Sequence, residues 1–91
     1  MHAVVVREVG DRALIEGSDD HVVANVVPQV RNAPGIVSAL WMTDGAGGTL
    51  NVLVFENEQA ARETLEAARN APRPPFMRVE DASVYRVVAS M

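Results

Sequence analysis

Ala33-Pro34-Gly35, Ile36-Val37-Ser38-Ala39-Leu40-Trp41-Met42-Thr43, Asp44-Gly45-Ala46-Gly47-Gly48 and Thr49-Leu50-Asn51-Val52-Leu53-Val54-Phe55-Glu56 follow one another without interruption. The two longer segments are apolar, rich in β-branched and aromatic residues, and bounded by turn residues, which is the signature of strands. Between them stand three glycines in five residues. They supply the positive φ angles of a tight reversal, so the pattern predicts an antiparallel hairpin. A phosphate-cradling loop is excluded by context: such loops open directly into a helix, and the P-loop also needs a lysine, whereas every basic residue here is arginine.

Working outward, Val22, Val23, Val26, Val27 and Val30 fall within about 140° of arc at helical spacing, with Asn25, Gln29 and Asn32 outside it. Ser18-Asp19-Asp20 offers a cap and acids at the start of this helix, and Arg31 suits its end. Pro28 lies opposite the valine stripe and predicts a bend, and Pro34-Gly35 ends the element. Beyond the hairpin, Asn57 is an N-cap, and Ala60, Ala61, Leu65 and Ala68 recur at helical spacing. Glu58, Arg62 and Glu66 form i,i+4 pairs on the other side of this second helix, which stops before Pro72. His2 to Val9 reads as a first strand and Val79 to Ser90 as a last one. The stretch from Arg12 to Gly17 is too short to assign. The order is strand, helix, strand, strand, helix, strand: one α+β domain over residues 1–91, in the split βαβ arrangement, with both helices on one face of a four-stranded antiparallel sheet.

Composition narrows the function. A net charge of −4 and scattered arginines oppose a nucleic-acid role, and the absence of cysteine removes disulfides, zinc-thiolate sites and thiol nucleophiles. No apolar run approaches the ~20 residues of a membrane span, and no secretory signal opens the chain, so the expectation is a cytoplasmic protein. His2 and His21 have no partners at metal-ligand spacing, and no metal or cofactor is expected. Asp19-Asp20 reads as a helix-dipole pair, and Ser38, Ser83 and Ser90 have no base motif nearby. No catalytic residue is named by the sequence.

Four strands ~4.8 Å apart, each of roughly seven residues at ~3.3 Å, make a face of about 19 by 23 Å. Two helices cover one such face, and the other is also apolar: Val4, Val5 and Val6 are consecutive, and in Leu50 to Phe55 only Asn51 is polar. A bare patch beyond ~400 Å² calls for a partner, and a second copy about a twofold axis closes a cavity between the sheets. Assigning polar side chains to that cavity puts Asn51, Leu53 and Phe55 in it. Pairing Met42 with Asn51 adds Ser38, Leu40 and Met42 and turns Trp41 under the helices, a one-residue slip would reverse that, and Arg86 joins from the last strand. The ligand-binding set is therefore Ser38, Met42, Asn51, Leu53, Phe55 and Arg86, with Leu50, Val52 and Val54 beneath the helices.

Val26-Val27-Pro28-Gln29-Val30, Ala33 to Trp41 and Val52 to Ala61 resemble the antibiotic-biosynthesis-monooxygenase-like family of the dimeric α/β-barrel, ferredoxin-like superfamily. The resemblance implies a ferredoxin-like βαββαβ sandwich that pairs as a dimeric α/β barrel, and the mixed apolar and polar lining read above predicts a non-enzymatic or weakly enzymatic protein binding a small apolar or aromatic molecule in a cavity between sheet and helices. The alternative the resemblance implies is a cofactor-independent monooxygenase acting on polycyclic phenols. The haem-degrading branch is opposed by three departures. Strand one has no Asn, Phe55 stands where that branch has Trp, and no His lies near Thr64 and Leu65. Ligand-regulated ACT domains share the strand order but open their first helix with the proline-glycine pair that here closes one.

Overall fold

The computed structural model describes all residues, 1–91. Strand β1 (His2–Gly10) is followed by a short helix α1 (Arg12–Glu16), then α2 (Asp19–His21), a π-helical turn (Val22–Val26) and α3 (Val27–Arg31). Strands β2 (Ile36–Thr43) and β3 (Gly48–Phe55) form the central hairpin, α4 (Glu58–Asn70) crosses back, and β4 (Met77–Arg86) closes a sheet of order β2-β3-β1-β4. Every neighbouring pair is antiparallel. This is the ferredoxin-like α+β sandwich expected from the element order. No helix is long and apolar enough to cross a membrane.

The unassigned stretch after β1 is helical because Asp11 caps it, its Oδ1 accepting from the Leu14 amide at 3.1 Å, and Ile15 is its one buried residue. Ser18 does not cap α2: its hydroxyl donates back to the Ile15 carbonyl at 2.6 Å. The valine helix forms, but as three pieces rather than one. Pro28 has no N–H for the preceding turn and its ring crowds that turn's carbonyl, so the helix widens into a π turn immediately upstream. No residue from Asp19 to Arg31 is buried, and Val23 stands 68% exposed. The expectation that two helices cover the sheet completely therefore fails on this side.

The other helix seats fully. Asn57 Oδ1 accepts from the Ala60 amide at 2.9 Å, and Ala61 and Leu65 of α4 are buried against Val4, Val6, Phe55 and Ala82. Phe55 and Val4 are 0% exposed, worth about 1.5–3 kcal/mol each in transfer from water. Gly35, at φ +76°, takes the left-handed turn into β2 and presents its carbonyl to the Glu56 amide at 2.8 Å, tying the start of β2 to the end of β3.

Register decides which residues share a face. The hairpin pairs Met42 with Leu50 and Trp41 with Asn51, one residue away from the expected Met42–Asn51 pairing. Asp44 sets this closer turn: its Oδ1 accepts from the amides of Ala46 at 2.7 Å and Gly48 at 2.9 Å. Gly47, at φ +92°, passes so close to β1 that a Cβ there would meet the Gly10 carbonyl oxygen at 2.6 Å. Across the sheet, the rows Ile36–Phe55–His2–Arg86, Ala39–Leu53–Val4–Val84, Trp41–Asn51–Val6–Ala82 and Thr43–Thr49–Glu8–Val79 share the helix side with the core residues. Ser38–Val54–Ala3–Tyr85, Leu40–Val52–Val5–Ser83 and Met42–Leu50–Arg7–Asp81 occupy the open side.

The backbone donors of Ala46 and then Gly48 hold the Asp44 carboxyl below its ordinary 3.8. A lowered folded pKa means that the contribution is fully present above that ordinary value and is lost as pH falls through the lower folded one. In thermal melts, Asp44→Ala is expected to unfold below wild type at neutral pH, and the gap is expected to close as pH drops below 3.8.

Candidate functional site

Where the valine segment stands off the sheet, a groove of about 310 Å³ opens between α3 and β2. Val27 and Val30 form its roof, Ile36, Ala39 and Trp41 its floor, and Arg31, Val37 and Ser38 border it. Ser38 reaches this border at a β-bulge, since the register of β2 shifts between Ile36 and Ser38. The lone tryptophan is therefore a half-buried ring on an apolar floor, a surface suited to packing against another flat ring.

Beside Trp41 the helix side of the sheet turns polar. Glu8, only 8% exposed, is the sole charged residue buried in the fold. Its Oε1 accepts from Asn51 Nδ2 at 3.0 Å and its Oε2 from Arg73 Nε at 2.6 Å, while a second Arg73 nitrogen donates to the Ala71 carbonyl at 3.1 Å. Arg73 comes from the extended Pro72–Pro75 crossing that leads into β4. Opposite Glu8, the register of β4 shifts so that Val79 pairs with it and Glu80 is the extra, exposed residue. Without that bulge two carboxylates would face each other on a buried surface. Thr49, paired with Glu8 on the other side, keeps a buried hydroxyl with no protein partner.

The six side chains expected in one cavity separate. Asn51 and Leu53 lie on the helix side, not between paired sheets, and so does Phe55, which is sealed into the core and has no surface to offer a ligand. Leu50, Val52 and Val54, expected under the helices, lie on the open side. The premise that no polar side chain is tolerated beneath the helices is what reverses the parity: Asn51 is tolerated there because its amide nitrogen donates to Glu8, which Arg73 in turn pairs. Met42, 41% exposed, stands on the open side, the face it was assigned, and Trp41 under the helices, because in β2 the one-residue change in register offsets the reversed parity of β3. Arg86 is exposed at the end of the sheet opposite His2, and Ser38 borders the groove. Glu8 and Arg73 were missed. An acid within a strand of valines and an arginine between prolines were the available signals, but their 65-residue separation carries no hint of contact.

Removing one partner of a buried ion pair strands the other charge, at a cost of about 3–5 kcal/mol, whereas replacing both by apolar groups can be nearly neutral. Glu8→Leu and Arg73→Leu are each expected to lower stability in urea unfolding by about that amount, and the double variant by less than either.

No family model matches the sequence, and no curated protein does. Among solved structures the chain is similar to a monooxygenase from the gene ActVA-Orf6 of Streptomyces coelicolor, in complex with the ligand nanaomycin D, at 20% identity and TM-score 0.64, over 99% of this chain and 89% of that one. A haem-degrading protein of Mycobacterium tuberculosis matches at 18% identity and TM-score 0.61, over 100% and 99%. HapK of Hahella chejuensis matches at 12% and 0.61, over 100% and 96%. The architecture is that of the antibiotic-biosynthesis-monooxygenase-like proteins. Identities this low carry the fold and leave the reaction to the site.

Proposed function

We propose that this chain, built on the antibiotic-biosynthesis-monooxygenase-like fold, is a homodimeric α/β-barrel protein that binds a small apolar or aromatic molecule in the cleft between sheet and helices. The observation that carries this reading is the valine segment held off the sheet, with Val27 and Val30 facing Ile36, Ala39 and Trp41 across an open groove. Apolar surface left unburied on both walls of a groove favours a guest that fills it. Asn51 and Leu53 stand on the same side of the sheet, paired with Trp41 and Ala39 of the groove's floor, and Ser38 marks its rim. Met42 and Arg86 belong to other surfaces.

The second reading is a cofactor-independent monooxygenase acting on polycyclic phenols. Glu8, with Asn51 and Arg73 bonded to it beside Trp41, favours it, because a phenol gives up its hydroxyl proton before its ring can reduce dioxygen, and polar groups here adjoin an aromatic floor. The complex of the Streptomyces monooxygenase with nanaomycin D adds the analogy of fold. Incubation with polycyclic phenols under oxygen, followed by absorbance, separates the two readings. Saturable binding without turnover is the outcome of the leading one, and turnover without added metal or flavin replaces it by the second.

Dimerisation is supported by the open side of the sheet, where Leu40 is 61% and Tyr85 54% exposed around a centre of Val5, Val52 and Val54. Leu53, on the helix side, does not test this face. Val52→Glu does, since it sets an unpaired charge in the middle of the apolar surface. Light scattering at micromolar concentration is expected to give a dimer for wild type and a monomer or aggregate for Val52→Glu. Arg62→Glu, which alters only an exposed pair with Glu58 on α4, is expected to stay dimeric. A monomeric, soluble wild type would remove the barrel from the reading.

A further inference from the structure

Glu8 sits where a charge is costly and does not itself line the groove, so its retention asks for a role. Its ion-paired carboxylate offers only acceptors, and the nitrogen of a carboxamide offers only donors. The contact of Asn51 Nδ2 with Glu8 Oε1 at 3.0 Å therefore settles which end of the Asn51 amide faces the acid. Turned over, the amide would set its own oxygen against the carboxylate. Arg73, at 2.6 Å from the other oxygen, keeps Glu8 in place to enforce this. The two ends of an amide diverge at its trigonal carbon, so Asn51 Oδ1 is directed away from Glu8. It accepts from no protein group, and it is not among the polar atoms sealed from solvent without a partner. Its neighbour across the hairpin is Trp41, on the floor of the groove.

We propose that Glu8 is a positioning residue that holds the Asn51 amide with its carbonyl oxygen toward the cleft as a fixed hydrogen-bond acceptor, so that the cleft selects aromatic molecules bearing a hydroxyl donor over their methyl ethers. The proposal rests on the cleft being an aromatic-binding site. A ring lying on the Trp41 floor brings a peripheral hydroxyl to the side where Asn51 stands, and an ether oxygen at the same place would meet Oδ1 acceptor to acceptor. An unpaired acceptor and a lost hydrogen bond together amount to roughly tenfold in affinity.

The test compares 1-naphthol with 1-methoxynaphthalene by titration calorimetry on the intact protein. Wild type is expected to prefer the naphthol by roughly tenfold. Asn51→Leu is expected to bind both probes alike, and Glu8→Gln, whose own amide can meet either end of Asn51, to lose most of the preference while keeping affinity for the ether. A second measurement needs no variant: in wild-type protein the Asn51 side-chain carbonyl carbon resonance, rather than its amide nitrogen, is expected to shift when 1-naphthol binds. Saturable but equal binding of the two probes by wild type would overturn this inference and leave the cleft reading standing. A preference retained in folded Glu8→Gln, or a shift confined to the nitrogen, would also overturn it. Absence of saturable binding for either probe would remove both the inference and the reading it rests on.

Discussion

Pro28 has no amide hydrogen to return to the turn before it, and the consequences of that missing donor reach across the molecule. A regular helix through Val22–Val30 would gather five valines into one stripe and lay it on the sheet, closing the β2 side as α4 closes the β1 side. The π turn at Val22–Val26 breaks the stripe, and the segment meets the sheet mainly where α3 touches β2. Its valines remain half-buried or exposed. The core is consequently one-sided: Val4, Val6, Phe55, Ala61, Leu65 and Ala82 cluster under α4, and the groove lies beside them.

Polar residues on the helix side are consistent with this asymmetry. Beneath α4 the row Ala39–Leu53–Val4–Val84 is apolar, and toward the hairpin turn the rows become Trp41–Asn51 and Thr43–Thr49–Glu8. A buried carboxylate is tolerated there because each oxygen has a donor and the bulge in β4 substitutes Val79 for a second acid. The orphan hydroxyl of Thr49 next to it marks the same corner as polar and incompletely satisfied. Replacing the pair by hydrophobes can be nearly neutral, so the cluster adds little stability of its own, and the apolar core around Phe55 and Val4 lies apart from it.

Much of the fold was legible because its signals are local. The Asn57 cap, the spacing of Ala60, Ala61, Leu65 and Ala68, and the Pro34-Gly35 turn each act within a few residues, and each stands where it was read. The sheet faces were not legible. They depend on a hairpin register set by Asp44 accepting from two amides, and with side chains alternating every residue, a one-residue change in register moves a whole strand's set to the opposite side. Choosing the faces of β3 by polarity failed for a second reason: Asn51 looks misplaced under a helix until Glu8, itself paired by Arg73, is brought to it from a position far away in the chain. Only a three-dimensional arrangement shows that pairing. Asn51, Leu53 and Phe55 changed face for these reasons, while Met42 and Trp41 keep the faces first read for them, because in β2 the two misreadings cancel.

The two faces of the sheet thus present different chemistry to different kinds of guest. The open side is apolar through its middle, with Leu40, Val52, Val5 and Tyr85 spread across all four strands, and an apolar sheet face is matched best by another of the same kind. The helix side is narrow and graded, apolar at Val27, Val30 and Ile36 and polar at Asn51 and Glu8, which suits a small molecule with one polar edge. Pairing through the first face would stiffen the strands that carry the second. The groove lies along β2, the edge strand, which pairs within the sheet with β3 alone and touches α3 lightly. A partner sheet packed against Leu40 and Met42 would brace that strand from behind, and so couple assembly to the shape of the groove without any residue of the partner entering it.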